Sequence, residues 1–192
     1  MCLETNRYKN FFYPPGGILL WLIIFVEMLS FGFALVAFAY YRNLDPDTFR
    51  SSGNLLNANL ATVNTILLLL SGFFMANAVK HFHIKAYKSA HSNSLSAMVG
   101  GLLFIGFKLF EYYGKLENGF TLSFNMFFTF YWLLTGFHLI HVLTGLVILY
   151  FLSRKLKQQP EKLKPEDFEA GAAFWHMCDL IWLLLFPVLY LF

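Results

Sequence analysis

Seven ionisable side chains stand inside apolar stretches of this sequence: Glu27, Lys108, Glu111, His138, His141, His176 and Asp179. Such groups are costly in apolar surroundings unless they pair, so each marks a contact or a function. Lys108 with Glu111, His138 with His141, and His176 with Asp179 are each spaced three residues apart, which on a helix places each pair on one face. Three chemistries fit this inventory. His138 and His141 can ligate a metal or haem, with Asp179 or Glu27 completing the shell. Carboxylates and histidines in a line can hand over protons. In the third reading the groups satisfy one another inside a helical bundle and fix its register. Glu27 shares its apolar stretch with no basic residue, so it either meets a histidine of another helix or carries a proton.

Other polar residues read more simply. Asn57, Asn64, Ser71 and Ala78 recur every seven positions and lie near one helix face, as a close helix contact requires. His81, His83 and His91 are irregularly spaced and have no cysteine or carboxylate beside them, so KHFHIKAYKSAHSNS reads as a solvated basic loop. Of the two cysteines, Cys2 stands near the terminus and Cys178 deep in the last apolar run, where it reads as a small apolar filler. Neither a disulfide framework nor a zinc-finger spacing can be made from them.

The elements that must position these residues are long and apolar. The chain is 58% hydrophobic and 13% charged, against about 25% charged for a water-soluble domain, which reads as an integral membrane protein. The central stretch, 124–152, is long enough to cross a bilayer. It places Tyr131, Thr135, His138, His141 and Gly145 on one face, so other helices are needed to cover that stripe. Spans at about 18–41, 57–79, 95–113, 124–152 and 171–192 supply them. The expected fold is all-α, a five-helix transmembrane bundle forming a single membrane domain over 1–192. Gly100-Gly101 is expected to pack closely, and Pro165-Glu166-Asp167 to start the last helix.

Charge sets the expected orientation. Arg7 and Lys9, Lys80, Lys85 and Lys88, and Arg154, Lys155, Lys157, Lys162 and Lys164 fall on one side of such a bundle. Only Arg42, Arg50 and Lys115 fall on the other. Positive residues favour the cytoplasmic side, so the N-terminus is expected inside and the C-terminus outside. Basic residues spread over loops give no soluble face for nucleic acid.

TGFHLIHVLTG at 135–145, followed by FEAGAAFWHMCDLIWLLLFPVLY at 168–190, resembles the cytochrome c oxidase subunit III family. Its patterns G-x-H-x-x-H-V-x-x-G and W-H-x-x-D-x-x-W correspond to Gly136, His138, His141, Val142 and Gly145, then to Trp175, His176, Asp179 and Trp182. Glu169 matches a family position at a looser interval, and Glu27, Asn64-Thr65 and Glu111-Tyr112-Tyr113 also resemble family positions. The familiar form has seven spans, and this chain resembles the short five-helix bacterial form. AYYRNLDPDTFR and the ending LLLFPVLYL resemble the relative associated with nitric oxide reductases.

The resemblance implies a non-catalytic accessory subunit in the bacterial plasma membrane, with no haem or copper of its own. It implies a catalytic partner bearing haem with copper or non-haem iron, in a terminal oxidase or a nitric oxide reductase. It also implies bound phospholipid in a cleft near Glu27, and support of sustained proton uptake and turnover. Glu27, Asn64, Lys108, Glu111, His138, His141, His176 and Asp179 then become structural polar or lipid-cleft residues. A stand-alone ion- or proton-coupled transporter using the same groups, and a haem-binding membrane anchor, are the competing readings.

Overall fold

The computed structural model describes residues 17–191. Expectations resting on Cys2, Arg7 and Lys9 lie outside the described residues, as does the end of the last span at residue 192. Among the described residues every regular element is helical: α1 (Gly17–Leu44), α2 (Pro46–Gly53), α3 (Ala58–His83), α4 (Tyr87–Glu117), α5 (Met126–Gln158) and α6 (Pro165–Tyr190), with a 3-10 turn at Pro160–Lys162. Five of these helices, all but α2, are long and apolar enough to cross a membrane. The chain is a multi-pass membrane protein with an all-α five-helix bundle.

Local chemistry sets the helix starts. Asn57 accepts a hydrogen bond from the Leu60 N–H at 3.0 Å, and Asn125 accepts one from the Phe128 N–H at 2.9 Å. Each side chain satisfies a backbone donor that the first turn leaves free. Pro165 opens α6 with Glu166 and Asp167 in the first turn, where proline lacks only a donor already free and acidic groups meet the positive helix end. Pro187 lies inside α6 without ending it, since the helix runs on to Tyr190.

One segment departs from its sequence reading. The basic histidine-bearing stretch is almost wholly helical: α3 runs through His83, a turn occupies 84–86 with Lys85 at φ 59°, and α4 starts at Tyr87. Ala90, Ser94 and Ala97 are all fully buried. Small residues at intervals of four and three turn one face of this polar stretch inward. Its lysines and histidines had masked that pattern.

Packing is unequal around the bundle. α3 and α4 form an antiparallel hairpin, α4 continues onto α5, and α6 lies against α3, α5 and α1. In its most apolar window α6 is 56% buried and α1 only 6%, so α6 is the central helix and α1 is a peripheral one laid over α5 and α6. The fully buried Trp175 locks the four inner helices together. A Cβ at Gly101 would stand 2.5 Å from its ring and one at Gly145 would stand 2.8 Å away. Only glycine lets α4 and α5 approach that closely. The Trp175 indole N–H donates to Ser71 Oγ at 3.0 Å, and Ser71 donates to the Ala97 carbonyl at 2.6 Å. The seven-residue row on α3 is thus used in full: Asn57 caps, Asn64 donates to the Phe104 carbonyl at 3.3 Å, Ser71 holds Trp175, and Ala78 is buried.

Candidate functional site

The polar side chains gather into four sites stacked through the bundle. At the level of the α6 C-terminus, Lys108 is 1% exposed. Its ammonium lies 3.0 Å from Glu111 Oε2 and also donates to the hydroxyls of Tyr131 and Tyr190, at 3.4 Å and 2.5 Å. Both tyrosines donate to the other carboxylate oxygen, Glu111 Oε1, at 2.9 Å and 2.8 Å. The rings of Tyr112, Tyr131, Trp182 and Tyr190 surround the ammonium with centroids 4.9–5.2 Å away. The ion pair is closed on all sides: each carboxylate oxygen has a donor and the cation has three oxygens and four π faces. Tyr131 belonged to the expected stripe on α5. Tyr190 had no local signal, because it approaches from 82 residues away along the chain.

One layer further in, His138 stacks on Trp182 at a centroid distance of 5.3 Å and meets Phe104 edge-on at 5.7 Å. Both of its ring nitrogens are buried without a hydrogen-bond partner among the described residues. Trp182 donates to Thr65 Oγ1 at 2.9 Å, which donates in turn to the Ala61 carbonyl at 2.8 Å. His138 therefore serves as an aromatic plate between α4 and α6.

His141 points to α1 instead. Its Nε2 is 3.2 Å from Glu27 Oε2, while Nδ1 is 2.9 Å from the Phe137 carbonyl. A carbonyl only accepts, so Nδ1 carries a hydrogen. Nε2 is then the ring atom that faces the Glu27 carboxyl group. This is the contact that Glu27 needed from another span. Beside it lies an apolar cleft of about 340 Å³ between α1 and α5, lined by Ser30, Phe31, Ala34, Phe130, Leu133 and Phe137.

The fourth site is on α6. His176 Nδ1 stands 3.4 Å from Asp179 Oδ2, and Asp179 Oδ1 is buried without a partner among the described residues. Asp179 packs against Gly72 so closely that a Cβ there would overlap its carboxylate. Unlike the other polar groups, the His176 side chain is 41% exposed.

His141 meets Glu27, but neither His138 nor Asp179 joins them at one point. Among the described residues no three His, Cys, Asp or Glu side chains gather where they could hold a metal ion.

The family model for Cytochrome c oxidase subunit III matches residues 16–192. The chain belongs to the cytochrome c oxidase subunit III family. It is 32% identical over 188 residues to "Cytochrome c oxidase subunit 3" of Schizophyllum commune, an alignment covering 91% of this chain and 67% of the relative. The protein of the same name from Synechocystis sp. is 29% identical over 182 residues, covering 91% and 74%. That from Prototheca wickerhamii is 36% identical over 130 residues, covering 67% of this chain and 48% of the relative. The chain thus spans between about half and three quarters of the length of these subunit 3 relatives.

Subunit III is a non-catalytic part of an oxidoreductase complex. Within this subunit III, the two histidines of its G-x-H-x-x-H motif serve different helices, His138 facing α4 and α6 and His141 facing α1. Its W-H-x-x-D-x-x-W motif is split likewise: Trp175 and Trp182 point inward, while His176 opens outward. At one end, His83 Nε2 meets Glu169 Oε1 at 2.9 Å and His91 Nδ1 lies 3.0 Å from Ser153 Oγ. Those two histidines reach neighbouring helices, although the His83 side chain stays half exposed; the stretch is solvated on one side but is helix rather than loop.

Proposed function

We propose that this subunit III is the accessory partner of a haem-bearing catalytic subunit in a bacterial plasma-membrane respiratory complex. Residues 17–191 act in it as one membrane domain, N-terminus cytoplasmic and C-terminus outside. The observation that carries this reading is the family match running from residue 16 to residue 192. The physical chemistry agrees with a supporting role. Lys108, Glu111 and Glu27 bond to neighbouring helices, and His138 is packed between aromatic rings, so these groups hold helices in register.

The test is purification in mild detergent through a tag on this chain. Haem absorption should accompany the tagged chain together with a larger subunit. Copper in that partner marks a terminal oxidase, and non-haem iron marks a nitric oxide reductase. A colourless, monodisperse chain overturns the reading and favours the stand-alone transporter.

The cleft between α1 and α5 is the proposed seat of a phospholipid acyl chain, with the Glu27–His141 pair at its flank. Its lining is almost entirely apolar, and most of the apolar surface of α1 is left uncovered. Ala34→Trp, which fills this cleft from its α1 wall, is expected to remove one tightly held phospholipid from the purified complex by native mass spectrometry. The complex should also inactivate after fewer turnovers at an unchanged initial rate. An unchanged lipid count would dismiss the cleft as the lipid site.

A further inference from the structure

The groove between α3 and α6 is a second kind of surface. It is an open hollow of about 480 Å³ on the outer face of the bundle, with Gly72, Phe73 and Ala76 on one wall and His176, Asp179 and Leu180 on the other. Ala76 is a small residue on the exposed face of α3 that leaves room for a second helix, whereas the space in front of the buried Gly72 is taken by Asp179. A small residue alone would say little. Here it flanks a polar pair that lipid cannot satisfy. Asp179 is 6% exposed and keeps one carboxylate oxygen without a partner among the described residues, while His176 is held by its Nδ1 against the other oxygen. That leaves Nε2 of a 41% exposed imidazole unpartnered among the described residues in the apolar part of the molecule. Ionisable groups at this depth face protein rather than hydrocarbon.

We propose that this groove docks one transmembrane helix of the haem-bearing catalytic subunit, and that His176 accepts a hydrogen bond from a donor side chain on that helix. The inference rests on the accessory-subunit reading and locates its interface. Chemistry sets the complement. In the tautomer that carries its hydrogen on Nδ1, towards Asp179, the ring presents an acceptor at Nε2, for which the incoming helix supplies a Trp, Ser, Thr, Asn or basic donor. That helix must also offer a flat or small-residue face to approach Ala76. Asp179 Oδ2, 3.4 Å from Nδ1, orients the ring, as carboxylates orient histidines elsewhere.

The test uses the intact complex. A photoreactive phenylalanine analogue is placed at Phe73 or Leu180 on the groove rim, and at Leu102 or Val147 on exposed faces of α4 and α5 as controls. Rim positions should cross-link to the haem-bearing subunit and the controls should not. His176→Leu and Ala76→Phe should each lower retention of that subunit in detergent about 3- to 10-fold, whereas Leu102→Phe should leave it unchanged. Ala76 is exposed, so its variant keeps the bundle's own packing. Cross-linking only to lipid, only to a second copy of this chain, or equally from the control positions overturns the groove assignment while haem retention still upholds the accessory reading. A wild-type chain that purifies without haem overturns the accessory reading and this inference together.

Discussion

Replacing Glu111 with leucine is expected to lower stability by about 3–5 kcal/mol, the cost of stranding a buried charge. The variant would leave the Lys108 ammonium and the Tyr131 and Tyr190 hydroxyls without their shared acceptor. The four aromatic faces around the ammonium offset part of this loss but accept no hydrogen bond. Lys108→Met should be milder, about 1–3 kcal/mol, because Glu111 Oε1 keeps both tyrosine donors. Combining the two changes should recover the part of the loss due to the stranded ammonium, since removing both partners of a buried pair leaves no unpaired charge, while the Tyr131 and Tyr190 hydroxyls still lack their acceptor. Thermal midpoints from size-exclusion chromatography in detergent give the ranking. Glu111→Leu should lie lowest, with both Lys108→Met and the double variant above it. A double variant no better than Glu111→Leu would mean that the tyrosine network, not the ion pair, sets the cost. The same cluster joins α4, α5 and the last turn of α6, so its loss should also free that turn.

The second large effect is expected at Trp175. Trp175→Ala removes the side chain on which α3, α4, α5 and α6 converge and should cost about 3 kcal/mol, the lower end for large aromatics. The lower end applies because the change is mainly lost packing, helices in lipid being held by close contact rather than by exclusion of water. The converse substitution is also destabilising. Gly145→Val would drive a side chain into the Trp175 ring, which stands 2.8 Å from an ideal Cβ there, at about 1–3 kcal/mol of overpacking. The two changes should not add. In the Trp175→Ala background the valine enters the vacated space, so Gly145→Val should cost less than it does alone. A cycle of four thermal midpoints measures the coupling, and strict additivity would show that α5 does not rest on Trp175.

Together these sites show where this subunit III is rigid and where it is open. α3, α4, α5 and α6 are bound by Trp175, by the Lys108–Glu111 cage and by the Trp182–Thr65 bond. α1 is attached by Phe31, Phe38 and the Glu27–His141 pair and leaves most of its apolar surface uncovered. That division leaves α1 free to be covered by lipid or a partner, and gives the accessory reading two distinct surfaces: the cleft beneath α1 and the polar groove beside α6.

The sequence by itself determined the solvent and the elements. Apolar runs of bilayer length made five spanning helices unavoidable. Pro165 marked the start of the last, and the inward face of α5 was legible because Tyr131, Thr135, His138, His141 and Gly145 share a period. The family, too, was legible in two motifs. What only the tertiary structure decided was which side chains meet. Lys108 with Glu111 and His176 with Asp179 do pair as their spacing suggests, yet His138 and His141 part company. Three residues along a helix differ by about 60° in direction, enough to send one ring to α4 and α6 and the other to α1. The tie of Tyr190 to Lys108, the wedge of Trp175 between two glycines, and the polar start of α4 were equally hidden. Each depends on how one helix is rotated against another, and that rotation is fixed by contacts between distant segments rather than by any local pattern of residues.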